Sequence, residues 1–258
     1  MSATAFNFIR AGFHTITPYV TVAEAAGMIE FVKAAFGAQE QFQDTGSAGG
    51  IHAEVRIGDS MMMIGGGGAF RGTPTPTMFQ YYVPNVEEVF ARAIAAGATV
   101  QSTLTEDHGD RFGAVEDPFG NVWIISKHLG ATYVPEGLRD VTIYLHPLGA
   151  PKLIDFLKRA FDAEEFVRFD SPDGAVLHAK VRIGDSMIEM GDARRPSSGT
   201  VSPQMPTGIC LYVPDADAVY RRAMAAGAFS LSEPADEPYG DRLAGVRDFC
   251  GNRWYIAT

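Results

Sequence analysis

The chain has 258 residues, 46% apolar and 20% charged, an ordinary globular composition, and its length suffices for two domains with separate cores. Its 21 basic against 31 acidic side chains leave a formal charge of −10, which argues against nucleic acid as a partner because a basic surface is needed to displace counterions from phosphate. Cys210 and Cys250 make no disulfide framework, no apolar run has membrane-spanning length, and "MSATAFNFIRAG" lacks the basic start and apolar core of a signal peptide, so the cytoplasm is the expected compartment.

In chain order, "TITPYVTV" alternates, with Ile16, Val20 and Val22 on one face and Thr15, Thr17, Tyr19 and Thr21 on the other, as a half-buried strand does. "AEAAGMIEFVKAAF" then has helical spacing at Met28, Ile29, Phe31, Val32 and Phe36, with Gly37 placed to stop it. Three strands follow in "AQEQFQD", "GIHAEVRI" and "SMMMIG", the last two joined by a turn at Gly58-Asp59. The order then restarts: "MFQYYV" is a strand, Asn85 caps the helix "VEEVFARAIAAG", and three more strands end in "VWIIS".

The same text returns in the second half. "IHAEVRIGDSMMMIGG" from Ile51 and "LHAKVRIGDSMIEMGD" from Leu177 agree at ten of sixteen positions. "YYVPNVEEVFARAIAAGA" matches "LYVPDADAVYRRAMAAGA", and "HGDRFGAVEDPFGNVWIIS" matches "YGDRLAGVRDFCGNRWYIA". Residues 13–128 and 139–258 are therefore two copies of one domain, joined by a linker over 129–138. Each copy holds two βαβββ modules, at about 13–66 and 77–128, then 139–192 and 206–258. The class is α+β, with a helix on the outer face of each small sheet. Val141, Ile143 and Leu145 supply the apolar face of the third module as Ile16, Val20 and Val22 do in the first. The opposite faces mix Thr17 with Tyr19, and Thr142 with Tyr144 and His146, which suits a partly wet concavity.

This grammar resembles the glyoxalase/bleomycin-resistance/extradiol-dioxygenase (vicinal oxygen chelate) superfamily, in the manner of a tandem two-domain glyoxalase-like member. The matching text is "FVKAAFGA" and "VEDPFGNVW", echoed by "FLKRAFDA" and "VRDFCGNRW". The resemblance implies cup-shaped sheets and, in metal-dependent members, one divalent ion held by His, Gln or Glu from the first and fourth strands of paired modules. Here those positions read Thr17, Met63, Met78 and Ile124 in the first domain, and Thr142, Glu189, Gly208 and Tyr255 in the second. One carboxylate does not hold a divalent ion in water, so no cofactor is expected. A metal, if held, falls to His146, His178 and Glu189.

Met63 becoming Glu189 is the divergence that bears on chemistry. If cups form within domains, Tyr19, Tyr82, Met61 and Met63 share the first. Glu189 then shares the second with His178, His146, Tyr144 and Tyr255. Glu189 and His178 are the candidate catalytic pair, a carboxylate beside an imidazole. Tyr19, His52, Met61, Met63, Gln80, Tyr82, Tyr144, His146, Tyr212 and Tyr255 are the candidate ligand contacts. His52 with Glu54 and Arg56, and His178 with Lys180 and Arg182, each line one strand face. The repeated Gly-Asp-Arg at 109–111 and 240–242 reads as an Asp–Arg clamp on a turn, with Arg111 or Arg242 as an alternative anion anchor. "IGGGGAFRG" leads into "TPTPT" and no helix, so it is no phosphate loop. With "DARRPSSGTVSP" it reads as a connection that flaps over a cup.

The expected function is metal-free binding of a small organic molecule for sequestration, resistance or carriage. The alternative is a superfamily lyase, isomerase or dioxygenase acting on a vicinal-oxygen substrate in the second domain. Neither nucleic acid nor membrane is expected as a partner. The expected assembly is a monomer with an internal pseudo-dimer, or a homodimer.

Overall fold

A computed structural model describes residues 8–195, 200–201 and 204–258. The expected flap segment 192–203 lies partly outside them, as do the first seven residues. The fold is α+β. Module one is β1 (Ile16–Val22), α1 (Ala25–Phe36), β2 (Gln39–Thr45), β3 (Ile51–Ile57) and β4 (Ser60–Gly66). Module two is β5 (Met78–Tyr82), α2 (Val86–Ala95), β6 (Thr99–Asp107), β7 (Asp110–Glu116) and β8 (Val122–His128). Module three is β9 (Val141–Leu145), α3 (Ala150–Phe161), β10 (Glu164–Asp170), β11 (Val176–Ile183) and β12 (Ser186–Met190). The short pair β13 (Arg194–Arg195) and β14 (Thr200–Val201) precedes module four, which is β15 (Gly208–Tyr212), α4 (Ala216–Ala225), β16 (Phe229–Asp236), β17 (Arg242–Arg247) and β18 (Arg253–Ala257). No helix among the described residues is long and apolar enough to cross a membrane.

The helices end where the sequence says they should. Asn85 and Asp215 accept from the backbone N–H groups of Glu88 and Ala218, and Gly37 closes α1 in the left-handed region at φ 69°. Their apolar faces make two cores. In the first half α1 and α2 bury Met28, Val32, Val89 and Phe90 with Trp123. In the second, α3 and α4 bury Leu153, Leu157, Val219 and Ala223 with Trp254. Both indoles are held by one device. Asp117 accepts from Trp123 Nε1 at 3.0 Å and from the N–H groups of Phe119 and Asn121, and Asp248 does the same for Trp254, Cys250 and Asn252. That explains the repeated Asp-x-x-x-Asn-x-Trp text.

Cores follow the halves of the chain, but the sheets do not. One eight-stranded sheet runs β16-β17-β18-β15-β1-β4-β3-β2 and the other β10-β11-β12-β9-β5-β8-β7-β6. Module one therefore pairs with module four (cup one) and module two with module three (cup two). At the seams Thr17 faces Cys210 and Gln80 faces Thr142 in antiparallel register. The cups therefore form across the two halves and not within them, because the free edge of each first strand finds its ladder in the other half.

The duplicated Gly-Asp-Ser locks these seams. Asp185 and Ser186 Oγ accept from the N–H groups of Thr15 and Ile16, while Asp59 and Ser60 Oγ accept from those of Asp140 and Val141. A β-carbon on Gly58 would lie 1.8 Å from Asp140 Oδ2, and one on Gly184 2.4 Å from Thr15 Oγ1, at φ values of +57° and +59°. Only glycine fits such a close left-handed turn. Arg139 sits between the seams, 3.6 Å from Asp59 and 3.5 Å from Asp185.

Candidate functional site

Strand alternation aims Thr142 and Tyr144 of β9, Glu189 of β12, and Met78, Gln80 and Tyr82 of β5 at one concave face, with His146 just past the end of β9. A cavity of about 610 Å³ opens there, lined by Met78, Phe112, Ile124, Tyr144, His146 and Met205 among others. That is within the usual size for a small organic ligand. Glu189 lies beside Tyr144 across the parallel β9–β12 ladder and opposite Lys180 of β11.

Glu189 is 2% exposed. Its Oε1 is 3.3 Å from Lys180 Nζ and 3.6 Å from His178 Nε2, and its Oε2 has no hydrogen-bond partner among the described residues. Burial disfavours the charged carboxylate more than Lys180 favours it, so its pKa rises to about 6. Burial and the Lys180 charge push His178 down to about 4, so the imidazole is neutral at neutral pH and its contact with Glu189 is no ion pair there. Around them the polar groups are tied. Gln80 Nε2 donates to Ser126 Oγ at 2.7 Å, Tyr82 donates to Asp110 Oδ2 at 3.2 Å, and Asp110 Oδ1 holds His128 Nδ1 at 2.7 Å.

Cup one carries the counterpart residues with different wiring. Glu54, in the place of Lys180, is 4% exposed and takes Arg10 Nη1 at 2.6 Å and Nη2 at 3.1 Å. Burial works against its charge, but His52 and Arg10 outweigh it and leave Glu54 below its ordinary pKa. Tyr19 stacks near Tyr255 with ring centroids 5.2 Å apart, and Tyr212 meets Phe13 edge-on at 5.9 Å. Phe8, Ile9 and Phe13 pack with Met61, Met63, Cys210 and Tyr212 over the same face.

The expected site residues are thus redistributed. Glu189, His178, Gln80, Tyr82, Tyr144 and His146 belong to cup two, whereas Tyr19, His52, Met61, Met63, Tyr212 and Tyr255 belong to cup one. Tyr255 is not a neighbour of Glu189, and Tyr82 is not one of Met61 and Met63, because the modules pair across the halves. The fourfold strand positions regroup likewise, as Thr17, Met63, Gly208 and Tyr255, and as Thr142, Glu189, Met78 and Ile124. Neither set fits a divalent ion. Gly208 has no side chain and its backbone is pressed on the Tyr19 carbonyl. Glu189, the one carboxylate, has an ammonium beside it. Among the described residues no group of three or more His, Cys, Asp or Glu side chains is placed to hold a metal ion.

The Gly-Asp-Arg clamp is also corrected. Alternation sends Asp110 into cup two and turns Arg111 outward to Glu87 and Glu106, while Arg242 pairs with Asp217 and Asp236. Asp110, His128 and Arg10 are site residues that the motifs do not reveal. Strict alternation through β7 would have found the first.

A model described as the Glyoxalase/Bleomycin resistance protein/Dioxygenase superfamily matches residues 12–125 and 149–256. The chain belongs to that superfamily. A 113-residue stretch is 36% identical to an uncharacterized protein of Mycobacterium bovis, covering 42% of this chain and 74% of that one. The same identity holds with an uncharacterized protein of Mycobacterium tuberculosis, of which the stretch spans 66%. A glyoxalase I mutant from Zea mays superposes with a TM-score of 0.71 at 14% identity, over 94% of this chain and 92% of that one. A putative dioxygenase from Bacillus subtilis gives 0.62 at 16% identity, over 94% and 84%. At such identities these likenesses show the fold alone.

Proposed function

We propose that this superfamily member binds a small organic molecule in cup two without a metal ion to hold it. One observation carries this reading: Glu189 Oε2, a buried carboxylate oxygen with no hydrogen-bond partner among the described residues, sits on the strand position paired with Tyr144, and Tyr144 lines a cavity of about 610 Å³. An unsatisfied buried acceptor costs about 1–3 kcal/mol or more, a cost that a ligand N–H or O–H would relieve. Met78, Phe112 and Ile124 suit an apolar body, and Tyr144 a flat or cationic group. Chelator-treated protein should be screened by thermal shift against metabolites and drug-like compounds, since binding raises stability by mass action. Stabilising compounds whose effect is lost in Glu189→Gln support the reading; a panel that moves nothing overturns it.

A second reading is favoured by the raised pKa of Glu189. A carboxyl that titrates near 6 is suited to take a proton from carbon or oxygen near neutral pH. The chain is then a lyase or isomerase in which Glu189 Oε2 removes a proton beside a carbonyl and Lys180 steadies the resulting charge. Turnover of an enolisable vicinal-oxygen substrate by chelated protein, abolished in Glu189→Gln, would support it. Because one chain supplies both halves of each cup, we further expect a monomer, checked by light scattering.

A further inference from the structure

The concave face of cup one is covered by residues 8–13. This segment is neither helix nor strand. Phe8, Ile9 and Phe13 rest on Met61, Met63 and Tyr212, and the Arg10 guanidinium, 4.6 Å from the Phe13 ring centroid, forks onto Glu54. The two partners differ in kind. The Glu54 side chain is 5% exposed and fixed in the cup, whereas that of Arg10 is 44% exposed and reaches in from outside.

Cup two carries the same segment without the ion pair. Residues 133–138 make the same turn there, with Leu138 N–H to Pro135 O as Phe13 N–H to Arg10 O. Val134 and Leu138 pack on Tyr82 and Met187. Pro135 stands in the place of Arg10 and Lys180 in that of Glu54, so both members of the pair are replaced together. Cup one offers a buried carboxylate opposite Met63, which lies beside Tyr19, in a cup that also holds Tyr212 and Tyr255, with Asp241 near enough to feel the Arg10 and Glu54 charges. Aromatic faces around a carboxylate recognise a flat organic cation.

We propose that cup one is a second ligand site, held shut by the chain's own Arg10 acting as a stand-in ligand, for an amidinium, guanidinium or similar flat cation that displaces residues 8–13 from Glu54.

Benzamidine is the probe. Calorimetric titration into the full chain should give about ten-fold or tighter binding in Arg10→Ala than in the unaltered protein, because a competing occupant lowers the competent fraction. Adding Glu54→Gln should remove that gain. In the unaltered protein, saturating benzamidine should speed hydrogen exchange at the amides of residues 8–13. Equal affinities with and without Arg10, a gain that survives Glu54→Gln, or binding that leaves exchange over 8–13 unchanged would each overturn the proposal. If circular dichroism shows that Arg10→Ala does not fold, the exchange measurement on the unaltered chain decides alone.

Discussion

Met63 and Glu189 occupy one structural position in two cups. Each lies beside the first-strand tyrosine, Tyr19 or Tyr144, and opposite a charged residue of the third strand, Glu54 or Lys180. The change moves the buried carboxylate from one strand to the next. In cup one it is sealed by Arg10. In cup two one carboxylate oxygen, Glu189 Oε2, is buried with no hydrogen-bond partner among the described residues.

The titration of Glu189 makes stability depend on pH. Its folded pKa of about 6 lies above the ordinary 4.5, so the folded state holds the proton more tightly. The favourable contribution is complete below pH 4.5 and is lost as pH rises through 6, a change of about 2 kcal/mol. Glu189→Gln removes this titration. The stability of the Gln variant relative to the unaltered protein should therefore improve by about that amount between pH 4 and pH 7.5 in urea denaturation. A difference that is flat with pH would show that Glu189 does not titrate there.

Lys180 lowers the pKa of both neighbours. Its charge holds Glu189 down and pushes His178 down. Lys180→Met should raise both, bringing Glu189 further above 6 and His178 up from about 4. Proton NMR of the His178 ring should show its midpoint moving toward 6.5 in the variant. If the midpoint stays put, burial alone sets the imidazole and the Lys180 charge is screened.

The four modules, the cap at Asn85, the stop at Gly37 and the core faces are visible in the sequence because periodicity and capping are local. The choice of partner module is not. The seams join backbone edges, and the side chains that secure them, Asp59, Ser60, Asp185 and Ser186, look like ordinary hairpin residues. Glu189 stands out because its duplicate is Met63. Arg10 does not, since its segment has no period and its partner is 44 residues away. Asp110 was hidden by its neighbour: the same dipeptide that reads as a clamp sends its two charges to opposite faces of β7.

The Asp117 and Asp248 devices should dominate stability. Each buried carboxylate satisfies an indole N–H, an asparagine amide and two backbone N–H groups. Asp117→Ala strands several buried donors, at roughly 1–3 kcal/mol each before relaxation. A loss of at least about 3 kcal/mol is expected, with fluorescence of Trp123 shifted to the red. A loss below about 1 kcal/mol would mean that water replaces the carboxylate.

Neither cysteine should react in the folded chain. Cys210 is 5% exposed on the floor of cup one and Cys250 is 8% exposed beside α3, and burial pushes both thiols up to about 12. Thiolate is the reactive form, and a pKa four or more above the working pH leaves about one part in ten thousand of it. Iodoacetamide at pH 8 should label both sites in denaturant and neither site without it. Because residues 8–13 lie over Cys210, their displacement alone should speed its labelling and leave Cys250 unchanged. Equal acceleration at both sites would instead report general loosening of the fold.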